Sequence, residues 1–279
     1  MDSARRLIQL WLIHGYLDLM FLLRNPRPLL LYTFGDAVMG LGSVASVILL
    51  SERFGGLGDW SRGEILFLGA YGMLLSGVME MFFGYNIFFV SRRIGRGQLD
   101  HSLLQPRSLA SALLTEGFVP FSGCGGLIAG LVMTTLAIAT LNVTPEPIWY
   151  AWLVLQLFAS AVVLLSFTAI LGALAFWAPR GAEELNSSTA RLFWTFRGFP
   201  LDRVAEPART GLLTILPIGF TAWAPAKSLV TAVPTASAYL ATPMAAAIFA
   251  TIAIVVFRGG LRHYARTGSS RYSDFGHRR

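Results

Sequence analysis

The chain is short of charged residues. Only 13% of its 279 residues are Asp, Glu, Lys or Arg, and 54% are hydrophobic, whereas about a quarter of the residues in a soluble domain are charged. A soluble fold of this length could not cover its surface with so few polar groups. Several apolar runs reach the ~20 residues that a bilayer-crossing helix needs, and they lack the apolar–polar alternation of barrel strands. The composition therefore predicts an all-α polytopic membrane protein.

Cysteine and lysine are almost missing from the chain. Cys124 is the one cysteine, so neither an internal disulfide nor a thiolate metal cluster can form. The four histidines show no metal-ligand spacing, and we predict no metal and no cofactor on this chain. Lys227 is the one lysine and follows alanine, so a P-loop is excluded. No other catalytic motif indicates an enzyme, and an ATPase that drove this chain would be a separate polypeptide.

Six apolar segments are predicted to cross the membrane, with a kinked outer segment at 223–236 where prolines interrupt the last apolar region. Residues 1–27 are predicted as an N-terminal helix in the membrane interface, because His14 and Asp18 share one face of an otherwise apolar helix. A short extra span is the alternative for this segment. The predicted spans, which form a transmembrane domain over 28–257, are 28–50, 65–90, 112–141, 148–177, 206–222 and 237–257.

Basic residues predict the orientation of these spans. Nineteen of the 22 Lys and Arg residues fall in the N-terminus, in 91–108, in 178–209 and in the tail 258–279. Since cytoplasmic segments carry the excess of basic residues, both termini are predicted to be cytoplasmic. Residues 192–196, between Arg191 and Arg197, are predicted as a helix on the inner surface, and contact with a second permease is the alternative. The charge is spread over four segments, which argues against a nucleic-acid partner and favours contact with the lipid bilayer.

The segment 91–108 interrupts the apolar sequence with a short polar stretch. Gly95 and Gly97 allow a sharp turn, residues 98–105 favour a short helix, and Pro106 ends it. Leu99, Leu103 and Leu104 would form a small apolar face on this helix. Because a two-turn helix does not persist alone in water, the pattern predicts that something docks against this face. The alternative is an ordinary basic loop.

Three carboxylates lie within predicted spans, namely Asp36, Glu80 and Glu116. Ionisable groups at such depth usually face a bundle interior or a wet cavity. They are translocation-path candidates that would favour a cationic amphipathic substrate. The alternative is that each carboxyl is paired with a neighbouring helix or neutralised by burial. A different class of function, an ion-coupled secondary carrier, would use Asp36 and Glu80 as proton or cation sites.

Three motifs resemble one family. Ile94, Gly97, Leu99-Asp100, Leu103-Leu104 and Pro106 follow the second span. Phe199-Pro200-Leu201, Pro207, Leu216-Pro217 and Ala224-Pro225-Ala226 precede the last span, and Gly260-Leu261-Arg262-His263-Tyr264 follows it. In this order and on a six-span frame, the chain resembles the permease subunits of bacterial ABC-2 type exporters from about residue 28 to 265.

The resemblance implies a plasma-membrane permease that works with a second copy or a paralogue and with two ABC ATPase subunits, which bind ATP and Mg. It implies a cytoplasmic coupling helix after the second span and short re-entrant outer helices before the last, with outer-gate candidates Pro225, Lys227 and Pro234. The residues that would contact the ATPase are Arg96, Gly97, Leu99, Asp100, Leu103, Leu104 and Pro106.

Overall fold

The computed structural model describes residues 2–53, 59–84, 90–106, 108–141, 145–231 and 235–268, and these residues form a helical protein. The polytopic helical architecture is thus confirmed. Two 3-10 turns, Leu174–Phe176 and Pro217–Phe220, join longer elements. The α-helices are α1 Asp2–Arg24, α2 Pro26–Arg53, α3 Arg62–Phe83, α4 Val90–Gly95, α5 Gln98–Leu103, α6 Leu109–Thr115, α7 Gly125–Thr140, α8 Pro147–Ala173, α9 Pro179–Phe196, α10 Glu206–Thr214, α11 Trp223–Val230 and α12 Ala236–Thr267.

Within the described ranges, four helices are long and apolar enough to cross a membrane. They are Arg5–Arg24 within α1, Arg62–Phe83, Pro147–Phe176 and Ala236–Thr267. The third predicted span, 112–141, is not one helix, because α6 ends at Thr115 and α7 starts only at Gly125. The placement of α1 in the interface stays a prediction.

Helices α3 and α7 form an antiparallel pair in backbone contact. The start of α3 lies at the end of α7, since a Cβ on Gly63 would sit 2.8 Å from the Thr140 carbonyl oxygen. Further along, a Cβ on Gly77 would lie 2.1 Å from the backbone nitrogen of Leu127. Only glycine fits there, and small residues at such positions are the usual means by which membrane helices approach closely.

Helix α1 lies against the turn between α6 and α7. The Asp18 carboxylate accepts hydrogen bonds from the backbone N–H groups of Phe121 and Ser122, at 2.8 and 3.1 Å, and from the Ser122 hydroxyl at 2.7 Å. Trp11 Nε1 donates to the Leu114 carbonyl at 3.2 Å. The polar face of α1 is therefore used to hold this turn.

Helices α8 and α12 run parallel to each other. Gln156 Nε2 donates to the Tyr239 carbonyl at 2.7 Å near their starts, and the rings of Phe176 and Tyr264 lie 5.6 Å apart near their ends. Two parallel helices in sequence require the chain to return between them. That return passes from the end of the molecule that holds α5, here named the α5 end, to the opposite end beside Trp60, here named the Trp60 end.

The return is made by α9 and the six residues that follow it, 197–202. At the α5 end, Arg92 Nε lies 2.7 Å from Glu183 Oε1. At the Trp60 end, Trp60 Nε1 donates to Asp202 Oδ2 at 2.6 Å, and Arg203 lies 3.9 Å from Asp59. Helix α9 is thus the crossing segment between α8 and α12.

This corrects two predictions. The placement of 178–209 wholly on the cytoplasmic side is wrong, because Asp202 and Arg203 lie at the Trp60 end. Residues 192–196 do not form a separate helix at the inner surface, because they belong to the second half of α9. A fifth span over 206–222 is also wrong, since α10 ends at Thr214 and Pro217 starts a separate 3-10 turn.

Residues 206–230 form a hairpin that enters the helix bundle from the Trp60 end. The Ser160 hydroxyl donates to the Phe220 carbonyl at 2.9 Å, and Trp149 Nε1 donates to the Leu229 carbonyl at 2.9 Å. Ser160 lies eleven residues beyond Trp149 on α8, about 16 Å deeper along the helix axis. The hairpin therefore descends through α10, turns near Phe220 and rises through α11, so the outer pair of helices starts before the predicted 223–236.

Candidate functional site

The α5 end is built around one buried leucine. Leu99 of α5 is 1% exposed and packs in a cluster with Ile94, Phe176 and Tyr264. Gly97, just before α5, has a left-handed φ of 72°, which lets the chain reverse direction and place Leu99 in this cluster. The predicted sharp turn and short helix are present, with α5 spanning Gln98–Leu103.

A hydrogen bond fastens α5 to the last helix. The Tyr264 hydroxyl of α12 donates to the Asp100 carboxylate, and Tyr264 itself is buried. Because α12 crosses the bundle and Phe176 follows α8, α5 contacts the ends of two long helices at once.

The three leucines of this segment do not form one exposed face in the structure. Leu99 points into the protein, whereas Leu104 is 83% exposed and Leu103 is exposed beside it. Arg96 and Pro106 are also exposed. The expectation that Leu99 and Leu103 share an outward face is corrected here: Leu103, Leu104, Arg96 and Pro106 form the exposed surface, named the α5 surface below.

The intramembrane carboxylates have different surroundings. Glu116 lies 2.6 Å from Arg93 Nη2, so its charge is paired. Glu80 lies beside the start of α7, where its Oε2 would be 3.2 Å from a Cβ on Gly126, and it interacts with the charge of Arg197. The side chain of Asp36 lies outside the described residues. The described contacts thus place Glu116 beside Arg93 and Glu80 beside Gly126 and Arg197.

A polar cluster joins three segments at the Trp60 end. The Asp202 carboxylate accepts hydrogen bonds from Trp60 Nε1 at 2.6 Å, Trp223 Nε1 at 2.7 Å, and Lys227 Nζ. Burial acts to raise the pKa of Asp202, but the hydrogen bonds from Lys227, Trp223 and Trp60, together with the Lys227 charge, lower it by more. We name this cluster the Asp202 latch.

The latch connects the gate candidates to the rest of the protein. Lys227 and the buried Pro225 belong to α11, and Pro234 lies outside the described residues. Asp202 was not identified from the sequence. Its position directly after the quoted Phe199-Pro200-Leu201 motif is the one local signal, because its tryptophan partners are 142 and 21 residues away.

The fold defines a class of protein. It is a multi-span helical membrane protein in which one end carries a small, firmly seated helix and the other a hairpin closed by a polar latch. Among the described residues, no group of three or more His, Cys, Asp or Glu side chains is placed to hold a metal ion.

Residues 37–268 match the family described as ABC-2 family transporter protein. The chain belongs to this family and is a membrane permease component of an ABC transporter. No curated protein and no solved structure matches the chain.

Proposed function

We propose that this chain is the membrane-spanning permease subunit of an ATP-driven exporter in the bacterial plasma membrane, with both termini in the cytoplasm. ATP and Mg would be bound by two separate ATPase subunits, and the permease would act with a second copy or a paralogue. The observation that carries this proposal is the way α5 is held. On one side of the helix Leu99 is buried and Asp100 accepts a hydrogen bond from Tyr264, whereas Leu104 is 83% exposed.

The α5 surface has the composition of a docking site for a soluble partner. Leu103 and Leu104 supply apolar area, which contributes roughly 25 cal/mol per Å2 buried, and Arg96 adds a positive charge beside them. Movement of a bound ATPase would press α5 against Ile94, Phe176 and Tyr264. Those residues would pass the displacement to α8 and α12.

The Asp202 latch would act at the opposite end. It joins the α2–α3 connection through Trp60 to the hairpin through Trp223 and Lys227. Release of these contacts would free α11 from the α9–α10 connection and open a route to the outside. We therefore add Asp202 to the predicted outer-gate residues Pro225, Lys227 and Pro234.

An ion-coupled carrier is not favoured. That carrier would use Asp36 and Glu80 as proton or cation sites, but Glu80 interacts with the charge of Arg197, and the match to the ABC-2 family favours an ABC permease over such a carrier. Transport by the isolated chain in liposomes under a proton gradient, without ATP, would support the carrier instead.

The test is affinity purification in mild detergent with identification of every co-eluting chain. The wild-type permease is expected to bring an ABC ATPase with it, and Leu104→Asp is expected to lose that ATPase while still inserting in the membrane. Thr267→Asp is the matched control, since Thr267 is exposed at the same end of the molecule. Retention of the ATPase by Leu104→Asp, at the level of the control, would contradict docking at the α5 surface.

A further inference from the structure

Helix α9 carries polar side chains on the face that it turns away from the bundle. Its inward stripe consists of Ala182, Asn186, Thr189 and Phe193, which are buried. The opposite stripe is exposed and consists of Arg180, Glu184, Ser187, Ser188, Arg191 and Thr195. Polar and charged groups on a helix that crosses a membrane usually face a bundle interior or water. The exposed polar stripe of α9 therefore does not face lipid tails.

Arg191 is the charge in the middle of this stripe. It lies eight residues beyond Glu183, which is paired at the α5 end, and six before Arg197. At 1.5 Å per residue these separations are about 12 and 9 Å along the helix axis. Arg191 therefore sits deep between the two ends of the crossing segment.

The neighbouring charges leave Arg191 uncompensated. Glu80 interacts with Arg197, and Arg197 also donates to the Ser76 hydroxyl. Glu184 lies seven residues before Arg191, about 10 Å along the axis, and four after Arg180. Within the part of the chain that the structure describes, Arg191 has no ion pair and its side chain no hydrogen bond.

We propose that Arg191 binds the anionic group of an amphipathic substrate whose head is a phosphate or carboxylate, and that α9 lines the path such a molecule takes. This rests on the proposed function as a permease. The guanidinium offers a planar pair of N–H donors that matches these oxyanions. Ser188 lies three residues before Arg191 on the same face and adds a hydroxyl donor, whereas the hydroxyls of Ser187 and Thr195 donate to the Glu184 and Arg191 backbone carbonyls. Leu192 and Trp194 flank them and give an apolar surface for the tail.

This assignment replaces a cationic substrate by an anionic one. The expectation of a cationic substrate depended on carboxylates facing the path, but Glu116 is paired and Glu80 has a cation nearby. The exposed stripe of α9 instead carries a central positive charge. Its occupant can come from solution or from an anionic lipid headgroup, since both present the same oxyanion.

The test measures binding of a fluorescent alkyl phosphate and of the matching neutral alcohol to the permease in phosphatidylcholine nanodiscs, with empty discs subtracted. The wild type is expected to prefer the phosphate. Arg191→Gln is expected to weaken binding of the phosphate about tenfold to a hundredfold, the loss of a charge-assisted hydrogen-bonded contact, without changing binding of the alcohol. Arg191→Lys should recover part of that loss, and Arg180→Gln, on the same face near the end of α9, should leave the preference unchanged.

Equal binding of phosphate and alcohol by the wild type, or equal losses for both in Arg191→Gln, would overturn the assignment. So would separation of two permease copies by Arg191→Gln, which would identify an ion pair between subunits. Adding phosphatidylglycerol to the discs separates the two sources: competition with the alkyl phosphate indicates a lipid occupant, and lack of competition indicates an amphiphile from solution. The binding readout needs no ATPase, so failure of ATPase co-purification counts against the proposed function alone.

Discussion

Replacing Asp202 by asparagine tests the Asp202 latch. The substitution keeps the shape of the side chain but removes the negative charge that Trp60, Trp223 and Lys227 share. A hydrogen bond to a charged group contributes about 1.5–3 kcal/mol. Asparagine keeps a carbonyl oxygen for one or both tryptophans, and the Asp202 side chain is 24% exposed, so water replaces part of the loss. We expect Asp202→Asn to lower the free energy of unfolding by about 2–4 kcal/mol.

A double-mutant cycle separates the ion pair from the tryptophan contacts. The Lys227 side chain is 48% exposed, so Lys227→Gln should cost at most about 1 kcal/mol. If Lys227 acts through Asp202, the double variant should cost the same as Asp202→Asn alone within about 0.5 kcal/mol. Asp59→Asn is the matched control, because Asp59 is fully exposed at the same end and lies 3.9 Å from Arg203.

The assay is equilibrium unfolding in mild detergent, followed by tryptophan fluorescence. An Asp202→Asn effect no larger than that of Asp59→Asn would refute the latch. So would a double variant whose cost is the sum of the single costs, since the two side chains would then be independent.

The same latch has a pH dependence of known sign. Because the pKa of Asp202 is lowered in the folded protein, its stabilising effect is fully present above the unfolded pKa of about 3.9. That effect is lost as the pH falls through the lower, folded value. The difference in stability between wild type and Asp202→Asn should therefore be constant from neutral pH to about pH 5 and should shrink in more acidic solution; a difference that shrinks between pH 7 and 6 would contradict this.

Two further predictions concern packing. Gly77→Ala should separate α3 from α7 and destabilise the protein by about 1–3 kcal/mol, because the added Cβ would lie 2.1 Å from the Leu127 nitrogen. Gly35→Ala, with nothing within 4 Å of its Cβ, should be neutral or stabilising in the same unfolding assay, and equal effects would contradict the helix contact. Leu99→Ala should cost about 2–5 kcal/mol and Leu104→Ala less than about 0.5 kcal/mol, and a reversed order would show that α5 is seated on its other side.

The long apolar helices could be predicted from the sequence alone. Helices α2, α3, α8 and α12 agree with predicted spans to within a few residues at most of their ends, because length and apolar composition decide whether a helix crosses a bilayer. The short helix α5 was also predicted, from the glycines before it and Pro106 after it. Helix α12 extends ten residues beyond its predicted end, to Thr267, since Gly260 and Tyr264 pack on the rest of the protein.

Helix α9 could not be predicted as a crossing segment. Its sequence from Pro179 to Arg191 is polar and resembles a cytoplasmic loop. In the structure, residues from other segments contact its polar groups: Arg92 pairs with Glu183 at 2.7 Å, and Asn186 Nδ2 lies 3.5 Å from the Ser91 hydroxyl. Such pairings join residues about ninety positions apart, which no local pattern reveals.

The functional residues, too, could be predicted only in part from the sequence. Local sequence indicated that Leu99, Leu103 and Leu104 belong to one short helix, but which leucine turns inward depends on Phe176 and Tyr264, from distant helices. The role of Asp202 likewise depends on Trp60, 142 residues earlier in the chain. Side-chain partners of this kind follow from the arrangement of the helices and not from the motifs.

The path along α9 and the latch both require that the chain crosses the membrane between Glu183 and Asp202. The direct measurement is cysteine accessibility in intact cells after the one native cysteine is replaced by Cys124→Ser. A cysteine at Arg203 is expected to react with a membrane-impermeant maleimide from outside, whereas one at His101, exposed on α5, should react only after the cells are opened. If both cysteines react only in opened cells, residues 178–209 lie on the cytoplasmic side and the account is wrong.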